Sequence, residues 1–152
     1  MTTTCACVVE LDTPAGETDH RIRALGEEEC TDLLRNHSVG HFAFAAGGRT
    51  TVVPANYIFD GRNVVVRSGS GLVDDADMRS ASLTIDEAGP DGTWGWTVLA
   101  QGTCSDVTSA IDEVSEHLRE LPLRPWAPGE TGHWLRLRPR RVTGRAFGRR
   151  PI

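Results

Sequence analysis

Apolar positions along the 152-residue chain recur with two different periods. In "EEECTDLLRN" (27–36), Cys30, Leu33 and Leu34 share one face at helical spacing, and the leading acidic residues suit a helix N-terminus. From residue 39 the period becomes two. "VGHFAFAA" (39–46) sets Phe42 and Phe44 against His41 and Ala43, the alternation of a half-buried strand. Gly47-Gly48 is a hairpin signal, and "RTTVVPANYIF" (49–59) reads as the returning strand. Asp60-Gly61 turns the chain into "NVVVRS" (63–68), with Val65 and Arg67 on one face and Val64, Val66 and Ser68 on the other. A short helical piece is expected after the following Gly/Ser turn. "ASLTIDE" (81–87) and "TWGWTVLAQGTCSDVT" (93–108) read as further strands, and 109–121 as a helix. Ser109 would cap that helix, and Ile111, Val114, Leu118 and Leu121 would form its apolar stripe. "HWLRLR" and "RVTGRAF" read as closing strands.

Consecutive hairpins with few helices predict a mainly β (α+β) antiparallel barrel and argue against βαβ units. Residues 1–20 are polar and aperiodic, which predicts a flexible N-terminal arm before a single domain over 21–152. No apolar run approaches the ~20 residues of a membrane span. The first residues lack the basic and apolar regions of a signal peptide, so a cytoplasmic protein is expected. A net charge of −5 argues against a dedicated nucleic-acid binder. There is no lysine, so any phosphate must be met by guanidinium forks, hydroxyls or backbone N–H groups. Arg136, Arg138, Arg140, Arg141, Arg145, Arg149 and Arg150 crowd the C-terminal end. The four cysteines form no C-x-x-C pair and no histidine stands at i,i+4 from another His or Cys on a helix, so reduced thiols and no metal site are expected.

Candidate chemistry concentrates in three places. Pro54 sits inside a strand and cannot donate to a ladder, which predicts an edge, a bulge, or backbone left open to a ligand; Asn56 shares its face. In "RSGSGLVDDAD" (67–77), Arg67, Ser68 and Ser70 offer donors and the glycines allow close approach to an anion. Asp74, Asp75 and Asp77 oppose that reading, and a plain turn remains open. Trp94 and Trp96 share a strand face, as core or as a stacking platform, and Trp134 shares one with Arg136 and Arg138. No nucleophile elbow or acid/base pair stands out, so any catalysis would belong to a cofactor.

The order "VVPANY", "VVVRSGSG", "WTVLAQG", "LRPWAPGETGHWLRLRP", "VTGR" resembles the pyridoxamine 5′-phosphate oxidase-like family of FMN-binding split barrels, over residues 22–147. The resemblance implies a six-stranded antiparallel split β-barrel and a homodimer with FMN at its interface. It implies that Val53, Pro54, Ala55 and Asn56 lie along the isoalloxazine ring. Arg67, Ser68, Ser70, Gly71 and Leu72 would hold the phosphate, Trp96 and Thr97 would line the pocket, and Trp134 would reach the cofactor. The implied activity is a flavin-dependent oxidoreductase acting on an unidentified small molecule, with no nucleic-acid or membrane partner. An F420-dependent reductase and a non-catalytic flavin or tetrapyrrole binder are the alternatives. The chain departs from the family where Gly71 replaces a common lysine. Such a charge-assisted bond is worth about 1.5–3 kcal/mol, roughly one to two decades of affinity. The additional C-terminal arginine and histidine pattern of the true oxidases is not evident either.

Overall fold

The alternating segments become long antiparallel strands in the computed structural model, which describes residues 22–69, 76–125 and 132–148, with backbone alone for 76–79. In chain order the elements are β1 (Ile22–Leu25), α1 (Glu27–Asn36), β2 (Val39–Ala46), β3 (Arg49–Phe59), β4 (Val64–Ser68), β5 (Ala76–Ala88), β6 (Gly95–Asp106), α2 (Glu113–Arg119) and β7 (His133–Phe147). The order β7-β4-β3-β2-β5-β6 returns to β7, so six strands close a barrel. The short β1, which the sequence pattern did not announce, adds a seventh strand along Gly144–Phe147 of β7. The two predicted closing strands are one continuous β7, because 133–137 pair with β4 while 135–147 run along β6.

Period-two alternation fills the barrel. Phe42, Tyr57, Leu83, Val98, Leu135 and Leu137 are fully buried inside it. Each such aliphatic or Phe side chain contributes about 1.5–3 kcal/mol relative to exposure. Helix α1 closes the wall with Cys30 and Leu34. Its last turn is pinned from within: Tyr57 Oη donates to the Leu34 carbonyl at 2.9 Å, and His37 Nδ1 lies 2.7 Å from the Leu33 carbonyl. These bonds occupy carbonyls that a helix C-terminus leaves without intrahelical partners. The β2–β3 turn has Gly47 and Gly48 at φ 55° and 74°, the doubly positive geometry of a two-residue hairpin turn.

Two expectations are corrected. The segment expected to be helical contains strand from Ala76 onward; Ala76 and Asp77 pair with Ala46 and Ala45, so ladder formation overrides the local Asp-rich sequence. The late helix starts at Glu113, not near Ser109. Asp112 is its cap, accepting from Ser115 N at 3.0 Å and Ser115 Oγ at 2.7 Å, while 107–110 are held in a turn closed by Ala110 N to Val107 O. Ile111 is therefore outside the helix and 91% exposed, and Leu118 carries the packing against Val65 on the outside of the barrel. The predicted arm, 1–20, lies outside the described residues, as do Ser70, Gly71 and Leu72.

The barrel has two open edges among the described residues. Strand β4 meets β3 at Tyr57–Phe59, leaving 49–56 unpaired on that side. It meets β7 at 133–137, and β1 covers 144–147, leaving 138–143 unpaired between them.

Candidate functional site

The first open edge holds the residues that the sequence singles out. Tyr57 N donates to Ser38 O, so the odd-numbered residues of β3 are the ones hydrogen-bonded to β2. The nitrogen of Pro54 and the N–H of Asn56 therefore face the open edge. Proline costs no ladder bond there, which answers why this strand tolerates it. Val53 and Ala55 point into the barrel and direct their backbone groups to β2, whereas Pro54 and Asn56 present their side chains outward. The four residues thus divide between two faces.

Strand register places three of the predicted residues in one outer row. Asn56 lies opposite Val39 on β2, and Arg67 lies opposite Trp134 on β7. Continuing the Tyr57–Val66 register by one position sets Asn56 against Arg67. The Arg67 guanidinium carbon stacks 4.9 Å from the centre of a Trp134 ring, a cation–π contact that orients the charge. The backbone of Trp134 is tied in turn to the segment just after β6, since Trp134 N donates to Thr108 Oγ1 at 2.9 Å. Asn56 Oδ1 is buried without a hydrogen-bond partner among the described residues. A buried acceptor in that state carries a desolvation cost of about 1–3 kcal/mol, which a donor from a ligand or a second chain would relieve.

The other predicted residues lie elsewhere. Ser68 turns into the barrel end, is 7% exposed, and donates to Gly69 O at 3.2 Å. Trp96 belongs to the core, donating from Nε1 to Glu87 Oε2 at 3.1 Å and meeting His37 edge-on at 4.9 Å. Thr97 is on the outer surface, its hydroxyl 3.3 Å from that of Thr84. On β7, the strand between theirs, Arg67 lies opposite Trp134 and Thr97 opposite Arg145, eleven residues away, roughly 36 Å along an extended strand. One chain therefore does not bring Thr97 to the Arg67 row.

Two further polar groups stand outside the predicted site residues. His41 faces outward, opposite Pro54, with its Nδ1 3.9 Å from Asp86. His133 Nδ1 lies 2.6 Å from Asp106 Oδ2, and Asp106 also accepts from Thr108 N and Oγ1. Burial alone would push the Asp106 carboxyl up, but the hydrogen bonds from Thr108 and His133 outweigh it and hold the group below the usual carboxylate range. His133 is opposite Ser68, so this group sits at the barrel end where β4 finishes. The only signal for it in sequence was His133 opening a strand; Asp106 is distant in the chain and joined by β6–β7 pairing. The described cysteines, Cys30 and Cys104, are buried free thiols, and burial pushes Cys104 up to about 12. Among the described residues no three His, Cys, Asp or Glu side chains gather as a metal site, and no helix is long and apolar enough to cross a membrane.

Solved structures share this architecture. A candidate pyridoxamine 5′-phosphate oxidase from Corynebacterium glutamicum matches with a TM-score of 0.67 and 21% identity, over 89% of this chain and 100% of that one. An FAD-binding protein from Mycobacterium smegmatis matches with a TM-score of 0.65 and 26% identity, over 83% of this chain and 98% of that one. An FAD-binding protein from Mesorhizobium loti matches with a TM-score of 0.60 and 23% identity, over 82% and 97%. No curated protein matches the chain. The six-stranded barrel with its split edges is thus the flavin-binding split-barrel fold. Residues 26–146 match the family model described as pyridoxamine 5′-phosphate oxidase, and the chain belongs to that family.

Proposed function

We propose that this protein is a flavin-dependent oxidoreductase that binds FMN along the open edge of β3, at the interface of a homodimer, and acts on a small molecule. The observation that carries the reading is the outer row Asn56–Arg67–Trp134, with its buried, unsatisfied Asn56 Oδ1. The donor set fits the group. The β3 edge offers Asn56 N–H and its side-chain amide to a planar heterocycle, and Arg67, held over Trp134, offers a fork to a phosphate. Bound flavin supplies hydride transfer to or from a substrate. The chain's own part is to fix the ring, exclude water from its edge and supply charge. His41, on the same face opposite Pro54, is a group able to carry a proton there, and its Nδ1 lies 3.9 Å from Asp86.

The dimer rests on two observations. Val39 and Val52 on this face are 45% and 57% exposed, an apolar surface that a second chain would cover. Thr97 meets β7 eleven residues from where Arg67 does, too far to share a site with it inside one chain, whereas a two-fold partner could bring its copy there. The related structures named for FAD binding support a flavin as the cofactor, and a row with one arginine suits the single phosphate of FMN.

Purified protein should show flavin absorbance between about 350 and 480 nm when saturated with FMN, and should be bleached by a reductant and recovered by an acceptor. His41→Ala should lower turnover severalfold and leave flavin retention unchanged. A protein that holds flavin but turns over no reductant with any acceptor would instead be a non-catalytic binder.

A further inference from the structure

A second cleft lies apart from the Arg67 row. It opens between the β3–β4 turn, α1 and the middle of β7, holds about 370 Å³, and is lined by Arg62, Arg140, Arg141, Thr31, Glu27 and Phe59 among others. Arg35 reaches the same turn, its Nη2 so close that a Cβ on Gly61 would stand 3.0 Å from it. In a regular strand Arg140 and Arg141 would point to opposite faces. A bulge prevents that. Gln101 pairs with Arg141 and Gly102 with Pro139, so Arg140 is the extra residue, and both arginines line one cleft.

The charge gathered there has no internal answer. Among the described residues none of Arg35, Arg62, Arg140 and Arg141 forms an ion pair. Glu27 is the one carboxylate in the lining. Asp60, in the adjoining turn, spends its oxygens on Arg62 N, Asn63 N and Asn63 Nδ2. The cleft also borders the 138–143 edge of β7, where no strand pairs. Guanidiniums converging from a helix, a turn and a strand repel one another, and a multiply charged anion would remove that repulsion while accepting several forks at once. Thr31 adds a hydroxyl. The volume is that of a small-molecule site.

We propose that this cleft binds a small phosphorylated anion, held by Arg62, Arg140 and Arg141 with Arg35 at the rim. The site is separate from the flavin site: Arg62 and Arg67 are five residues apart, roughly 16 Å along an extended chain. It therefore stands whether or not the flavin reading does.

Inorganic pyrophosphate, titrated calorimetrically at constant ionic strength, tests it. Wild-type protein should bind at one site per chain. The double variant Arg140→Gln/Arg141→Gln should bind at least tenfold more weakly, Arg62→Gln severalfold more weakly, and Arg67→Gln as wild type. These arginines are exposed, so the variants should melt at the wild-type temperature, which is measured alongside. FMN titration of the double variant should match that of wild type. Absence of wild-type binding at millimolar pyrophosphate would overturn the proposal. So would undiminished binding in the double variant, or binding lost on Arg67→Gln alone. Wild type that binds pyrophosphate through Arg140 and Arg141 but ignores FMN would sustain this site and sink the flavin one.

Discussion

Asp106 shows how one carboxylate ties distant parts of the chain together. It receives hydrogen bonds from Thr108 N, Thr108 Oγ1 and His133, all of which favour its charged form. Its folded pKa is thus below the unfolded value, so its contribution to stability is present above the usual carboxylate pKa of about 4 and lost as pH falls through the folded value. Asp60 and Asp91, similarly depressed by hydrogen bonds from their own turns, lose stability in the same direction. Asp106→Asn should melt below wild type at pH 7, and the gap should narrow as the pH is taken below about 4. Thermal unfolding of both proteins from pH 7 to pH 3 measures this; a gap that stays constant would mean the carboxylate's charge contributes nothing. Much of this detail was illegible in sequence, because Asp106 and His133 are separated by the whole of α2 and its loops. Arg67, by contrast, was legible, since alternation alone put it on the face opposite Ser68, and the structure keeps that division.

Elements with a clean period were read correctly, and those whose form depends on a neighbour were not. The stretch 27–36 and the strands from Val39 to Phe59 match their predicted bounds, because their side chains sort themselves between core and solvent. Strand β1 exists only because β7 offers an edge, and four residues without alternation carry no period to detect. The β7 bulge is equally hidden. It depends on Gly102, where a Cβ would stand 1.9 Å from the Arg138 carbonyl oxygen, a contact with backbone that no rotamer change relieves. Gly102→Ala should therefore destabilise the protein by roughly 1–3 kcal/mol, as overpacking does, and should weaken pyrophosphate binding by moving Arg140 and Arg141. Chemical denaturation and the same titration check both parts. An alanine variant of wild-type stability would show that the strands can separate at no cost there.

At the scale of the whole molecule, the split in the barrel organises everything else. Strand β4 is only five residues long, so it cannot cover its neighbours fully, and the uncovered backbone of β3 and β7 lies on either side of it. One opening carries Pro54, Asn56, Arg67 and Trp134; the other carries the arginine cleft. The family resemblance pointed to the barrel and to the region of the first opening. It could not divide Val53 and Ala55 from Pro54 and Asn56 by what their backbones bond to, nor show that Thr97 and Arg67 meet β7 eleven residues apart. The central claim is that the Asn56–Arg67–Trp134 row holds a flavin. Fluorescence titration of FMN into wild type and into Arg67→Ala tests it most directly. Near-stoichiometric quenching by wild type, weakened at least tenfold in the variant, is the predicted result. Wild type that leaves FMN fluorescence unchanged, or Arg67→Ala that quenches as wild type does, would contradict it.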